Sequence, residues 1–170
     1  KIQILNVNTG NTIGVIPCKE DAEQMNFSPL GTYVWTWRSP SKSSTPTANL
    51  NVWKLNFNES NKEAICEISY HQKKYSSDAL QWSSNELLCT RSVTNEIHIL
   101  NGQALSADIL GKIRHEAFTS FTLGSSNSTT SSNNDFQCSV TVFNPEVKGR
   151  QARVTVYPIQ ATTTTTTATT

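Results

Sequence analysis

The sequence predicts an all-β chain: part of a β-propeller, with about three four-stranded blades and one leading strand. Three observations carry that prediction. Short runs alternating apolar and polar residues follow one another along the 170 residues, and no amphipathic helical stretch of useful length interrupts them. Four of the runs, KIQIL, NLNVW, NEIHI and ARVTV, begin at Lys1, Asn49, Asn95 and Ala152, spacings of 48, 46 and 57 residues. A repeat of about 40–50 residues carrying four strands is the mark of propeller blades. Turns after the second strand of each round also correspond: FSPLG from Phe27, WSSNE from Trp82 and TLGSS from Thr122.

Residues 1–5 alternate as a half-buried strand does, and Asn8-Thr9-Gly10-Asn11 closes them as a turn. Residues 12–16 make a second strand, which Pro17 ends; Lys19-Glu20-Asp21 then leads to a strand at 22–27. In the turn that follows, Pro29 supplies a fixed φ and Gly31 a flexible exit. TYVWTW at 32–37 is the most strongly β-prone run in the chain. A polar, proline-punctuated loop at 38–48 precedes NLNVWKL at 49–55.

The second round has strands near 65–70, 78–83, 87–92 and 95–100. Its last three are the most compact meander in the chain, split by two tight polar breaks. Such a meander is marginal alone, because its apolar faces have nothing to bury against. The third round has strands near 107–113, 117–123, 136–143 and 151–157, and the low-complexity SSNSTTSSNND at 125–135 accounts for its longer spacing. The rounds divide 1–160 into blades of about 12–55, 65–100 and 107–157, followed by a Thr-rich, disordered linker at 161–170. Three blades and a strand do not close a ring, which needs about four. Because Lys1 enters directly into a strand pattern, the chain reads as a piece of a larger propeller.

Hydrophobic residues make up 36% of the chain, and Ser, Thr and Asn fill the gap. The net charge of +1 does not advertise a nucleic-acid binder, so any such role rests on local clustering. No apolar run approaches the ~18 residues of a membrane-spanning helix. Cys18, Cys66, Cys89 and Cys138 form no C-x-x-C pair and have no His at metal-ligand spacing, which argues against zinc. Reduced, mostly buried thiols are the expectation. Two disulfides in a secreted domain are the alternative, which the sequons at Asn26, Asn58 and Asn127 would fit.

No Ser, Cys and His stand in a triad pattern, Glu86 and Glu96 make no convincing acid/base pair, and glycines are scattered singly. A catalytic function, a metal and a cofactor are therefore not expected. Trp35, Trp37, Trp53 and Trp82 lie in strand interiors or at a strand end, so they read as blade packing rather than a stacking platform for bases. His71 and His115 fall in basic loops within reach of a phosphate, and His98 faces away from Ile97 and Ile99.

Charge is sorted by loop. With the first strand of each round outermost, as in WD-repeat proteins, the loops after the first and third strands share one rim. That rim takes Lys19, Arg38, Lys42, Lys73, Lys74, Lys112, Arg114, Lys148 and Arg150, against Glu20, Asp21 and Glu146. The opposite rim carries Glu59, Glu63, Glu86 and Asp135 against Lys62. A basic rim suits phosphate contacts, with Arg38, Lys73, Lys74, Lys112 and Arg114 as its leading residues.

QWSSNELLCTRSVTNEIHIL, preceded by FSPLGTYVWTW and NLNVWKL, resembles the N-terminal propeller of the eukaryotic translation initiation factor 2A family. The resemblance runs from residue 1 to about 123 and resumes more weakly at 136–159, around ARVTVYPI. Its most specific pieces are Trp82, then Leu88-Cys89-Thr90-Arg91 and Asn95-Glu96-Ile97-His98, which are strand and turn motifs rather than an active site. The propeller subunit b of initiation factor 3 is similar in FSP and ARVT.

The factor 2A resemblance implies a cytoplasmic, non-enzymatic propeller associated with the small ribosomal subunit. It further implies support for initiator methionyl-tRNA delivery, with tRNA and mRNA contacted through regions outside this chain. Other initiation factors are implied as partners, and no membrane is. The alternative is a protein-interaction scaffold of the initiation machinery, like the factor 3 subunit, without direct RNA contact.

Overall fold

A computed structural model describes residues 1–18, 21–40, 47–73, 76–77, 79–126 and 137–160. Among these, the regular structure is all strand. β1 (Ile2–Leu5) and β2 (Thr12–Ile16) form a two-stranded sheet. The next sheet is β3 (Gln24–Phe27), β4 (Tyr33–Trp37), β5 (Leu50–Lys54) and β6 (Ile65–Tyr70), in that order. A second four-stranded sheet follows: β7 (Leu80–Trp82), β8 (Leu88–Val93), β9 (Glu96–Asn101) and β10 (Gly111–Arg114). The last sheet is β11 (Ser120–Ser126), β12 (Gln137–Asn144) and β13 (Arg153–Gln160). Every named strand pair is antiparallel.

Each sheet is a plain meander of consecutive strands, and this moves the blade divisions. Residues 65–70 and 107–113 read as the opening strands of the second and third rounds. The strands observed there instead close the sheets before them: Leu50 pairs with Tyr70, and Gly111 with Ile99. The sheets thus span 24–70, 80–114 and 120–160 rather than 12–55, 65–100 and 107–157. A repeat fixes its own length but not where it is cut, and a strand with open edge groups on its immediate predecessor pairs there.

The core consists of the seams between sheets. All five residues of β4 are buried, because both faces of this interior strand are covered. Its period-two geometry sends Tyr33, Trp35 and Trp37 toward Leu80, Trp82, Cys89 and Leu100 of the next sheet. Val34 points the other way, joining Ile16, Trp53 and Ala64. The third sheet repeats the division: Cys89 and Leu100 face back, while Ile97 faces forward onto Phe121, Val140 and Val142. Sheets stacked face to face in chain order, each four-stranded sheet supplying one face to each neighbour, make a partial β-propeller. Fully burying each such side chain contributes about 1.5–3 kcal/mol.

Two of the three corresponding turns share one hydrogen-bond scheme. Ser28 Oγ accepts from Tyr33 N–H at 2.9 Å and lies 3.2 Å from Tyr33 O. Ser83 Oγ treats Leu88 in the same way, at 3.0 and 3.2 Å. Both serines are buried. The third expected turn, TLGSS, is strand instead: Thr122 pairs with Thr141 and Gly124 with Ser139. Its small, polar residues suit a turn, but the long register with β12 carries the strand through them. The 127–136 loop and the Thr-rich 161–170 segment lie outside the described residues.

Candidate functional site

In a meander, successive loops alternate between the two ends of the sheets. Regrouping strands into different blades leaves that alternation intact, so among the described residues Arg38, Lys73, Lys148 and Arg150 lie in loops at one end and Glu59, Glu63 and Glu86 in loops at the other. Cross-sheet hydrogen bonds mark each end. At one, Leu30 N–H donates to Glu86 Oε1 at 2.7 Å and Tyr33 Oη donates to Gln103 O at 3.2 Å. At the other, Arg91 Nη2 of the next sheet reaches His71 O at 3.5 Å, and within one sheet Trp37 Nε1 donates to Gln72 O at 3.4 Å.

The basic end is organised by Asn49, which is fully buried. Its Nδ2 donates to Arg38 O at 2.7 Å and Gln72 O at 2.9 Å, while Oδ1 accepts from Gln72 N–H at 2.7 Å. This clamp fixes the backbone from which Arg38 and the exposed Lys73 project. Lys19, Lys42 and Lys74 lie outside the described residues. Arg38 lines a cleft of about 760 Å³ shared with Asp21, Cys18, Asn49 and Cys66. Among the described sequence-predicted cations, Arg38 alone lines this cleft.

Lys112 and Arg114 alternate outward along β10, opposite His98 and Glu96 of β9. Arg114 Nε lies 3.2 Å from Glu96 Oε1, and His98 Nε2 lies 3.0 Å from Glu96 Oε2. The hydrogen bond from His98, followed by the charges of Lys112 and Arg114, lowers the Glu96 pKa. Part of the expected positive cluster is therefore already paired. Arg114 remains 86% exposed, so the pair is weakly held and the guanidinium stays open to another anion.

His115 is not the exposed phosphate contact that its loop position suggested. It is buried, with Nδ1 2.7 Å from Tyr157 Oη and Nε2 hydrogen-bonded to Asn144 Oδ1. It forms the floor of a second cleft of about 770 Å³. Arg114, Lys148, Arg150 and Arg153 line this cleft together with Glu116. Lys148 and Arg150 come from the β12–β13 loop, where Val147 and Arg150 bridge through backbone bonds of 2.7 and 3.1 Å around Gly149. The φ of +84° at Gly149 is one that side-chain-bearing residues rarely adopt.

The structure thus brings three sequence-predicted residues, Arg114, Lys148 and Arg150, to one cleft and adds Arg153, which sequence reasoning missed. Arg153, Thr155 and Tyr157 share one face of β13 by alternation, and that was the available signal. The four tryptophans are at most 7% exposed, and Trp82 stacks on Tyr33 with centroids 5.8 Å apart, so they pack sheets together. Among the described residues, no group of three or more His, Cys, Asp or Glu is arranged to hold a metal.

No family model matches the chain. It is 30% identical to eukaryotic translation initiation factor 2A of Schizosaccharomyces pombe over 161 residues, 94% of its length. The chain is a relative of that factor. It spans 25% of the factor's length, so the likeness to factor 2A concerns one part of a larger protein. A crystal structure of a eukaryotic initiation factor superposes with a TM-score of 0.71 at 30% identity, covering 92% of this chain and 36% of the other. Kuenenia stuttgartiensis hydrazine synthase superposes at 0.50 with 11% identity, covering 93% and 44%, a likeness of fold alone. The factor 2A match takes in both the Asn49 clamp and the His115 cleft, since it covers nearly the whole chain.

Proposed function

We propose that this chain is the propeller segment of a cytoplasmic, non-catalytic translation initiation factor, and that its basic end docks on RNA of the small ribosomal subunit. The observation that carries the reading is the gathering of Arg114, Lys148, Arg150 and Arg153 around one concave cleft in a relative of factor 2A. Arg38, Lys73 and Lys112 extend the positive surface at the same end, and Lys42 and Lys74 belong to it by sequence. Lys and Arg at such a surface neutralise backbone phosphates and release counterions. Support of initiator methionyl-tRNA delivery, with mRNA and tRNA held by other parts of the protein, follows from the same resemblance.

The test is co-sedimentation with small ribosomal subunits across a salt series. Charge reversal at Lys148 and Arg150 should weaken binding, and each lost phosphate contact should flatten the log–log salt slope by about 0.7–0.9. Unchanged affinity and slope in that variant and in Lys73→Glu refute the reading.

One feature favours a protein-scaffold role instead. Phe143, Val154 and Val156 are 39, 61 and 58% exposed and lie on one face of the last sheet, Phe143 directly opposite Val154. Contacts made by that apolar face survive ribonuclease treatment, whereas rim contacts to RNA do not.

A further inference from the structure

We propose that the His115 cleft binds a phosphate group of single-stranded RNA, and that protonation of His115 adds a hydrogen-bond donor to it through Tyr157. This deepens the docking reading above and rests on it for the choice of RNA.

The cleft's size and shape indicate the ligand. At about 770 Å³ it lies within the ~300–1,000 Å³ range of small-ligand sites, room for a nucleotide. Its cations, Arg114, Lys148, Arg150 and Arg153, outnumber its one carboxylate, Glu116. The ring of Tyr157, with Pro145 and Val147 nearby, supplies the kind of apolar surface on which any base can lie. Single-stranded RNA can swing one nucleotide into such a space.

The hydrogen bonds determine what the floor can donate. Asn144 Nδ2 donates to Glu116 O at 2.9 Å, which turns Oδ1 toward His115. Oδ1 only accepts, so His115 Nε2 carries a hydrogen. In the neutral ring Nδ1 must then accept, and Tyr157 O–H is its donor at 2.7 Å. The tyrosine hydrogen is thereby consumed inside the floor. When Nδ1 takes a proton from solvent it donates to Tyr157 Oη, and the phenolic hydrogen is released to turn into the cleft. The phosphate gains one donor and a buried counter-ion together. The remaining groups facing His115 are the rings of Phe118 and Tyr157, both edge-on, and the charges of Arg114, Glu116, Lys148, Arg150 and Arg153.

The test measures affinity of the 170-residue chain for a short, labelled single-stranded oligouridylate across a pH series. Affinity should rise by roughly tenfold on acidification, the scale of a charge-assisted hydrogen bond. Tyr157→Phe should lose most of the rise, because an Nδ1–H there has no acceptor. Lys148→Ala/Arg150→Ala, exposed and far from the folding core, should lower affinity at every pH.

A rise of the same size in Tyr157→Phe overturns the proposal. So does an imidazole resonance of His115 that the oligonucleotide fails to shift, a measurement that needs no variant to fold. Uridine monophosphate or inorganic phosphate competing as well as the oligonucleotide assigns the cleft to free phosphate compounds and overturns the RNA assignment. If the oligonucleotide behaves as expected but small subunits do not sediment with the chain, the ribosomal reading fails and the cleft stands. Subunit binding with no effect of Tyr157→Phe on the pH response sinks the cleft alone.

Discussion

Leu30 and Glu86 stand 56 residues apart on different sheets, and the Leu30 N–H donates to the Glu86 carboxylate at 2.7 Å. Glu86 is 3% exposed. Its position lets one side chain tie the tip of the β3–β4 turn to the tip of the β7–β8 turn. Those two turns carry the same serine hydrogen-bond scheme, so the strut joins equivalent points of successive repeats.

This strut predicts acid sensitivity. Burial alone would raise the Glu86 pKa, but hydrogen bonds from Ser28, Thr32 and Leu30 outweigh it and leave the value below the ordinary 4.5. A folded-state value below that of the unfolded chain means the contribution is complete above about pH 4.5 and is lost as pH falls through the lower, folded value. Glu86→Ala should cost about 1–3 kcal/mol in urea unfolding near neutral pH and flatten this acid dependence. A variant as stable as the parent, with the same acid profile, refutes the strut.

Gly102 sits against the same turn. A Cβ placed there would lie 2.3 Å from Glu86 O and 3.0 Å from the Leu88 carbonyl carbon, both backbone atoms that cannot rotate away. Gly102 N–H also donates to Leu87 O at 2.9 Å, which holds the approach close. Gly102→Ala should therefore destabilise the chain by about 1–3 kcal/mol or more, as overpacking does. Thermal unfolding monitored by tryptophan fluorescence measures it, because Trp82 Nε1 donates to Gly102 O at 3.3 Å.

Thr94 is strained. It is the first of two residues linking β8 to β9, and its φ of 54° is rare for a β-branched side chain. A two-residue hairpin turn with positive φ at its first position favours glycine there. Thr94→Gly should leave stability unchanged or raise it by up to about 1 kcal/mol, whereas the same change at a relaxed strand position costs a similar amount. Loss of stability in Thr94→Gly contradicts the geometry.

The cysteines should separate by reactivity. All four are free, with Cys66 exposed, Cys18 half-buried, and Cys89 and Cys138 buried. Desolvation raises the pKa of Cys18 and Cys138 and pushes that of Cys89 well above its usual value. Because the thiolate is the reactive form, a thiol reagent near pH ~8 should label Cys66 first and Cys89 only on unfolding. Peptide mapping after timed labelling tests the order, and Cys89 labelling at the rate of Cys66 would refute it.

The sequence by itself determined most of the strands, the repeat length, two of the three corresponding turns and the likeness to factor 2A. All of these rest on local chemistry, in which alternation sets a face and a hydroxyl five residues from its partner closes a turn. It also sorted the charged loops between two ends, since strand direction reverses at every hairpin wherever the blades are cut. Only the tertiary structure decided that β6 and β10 close the sheets before them, because a strand edge pairs with whichever neighbour brings its amides into register. Likewise it was tertiary packing that buried His115 between Asn144 and Tyr157 and drew Arg153 into the cleft beside Arg150. Those residues meet from β12, β13 and two loops, and no short-range pattern records which side chains neighbouring elements will bring together.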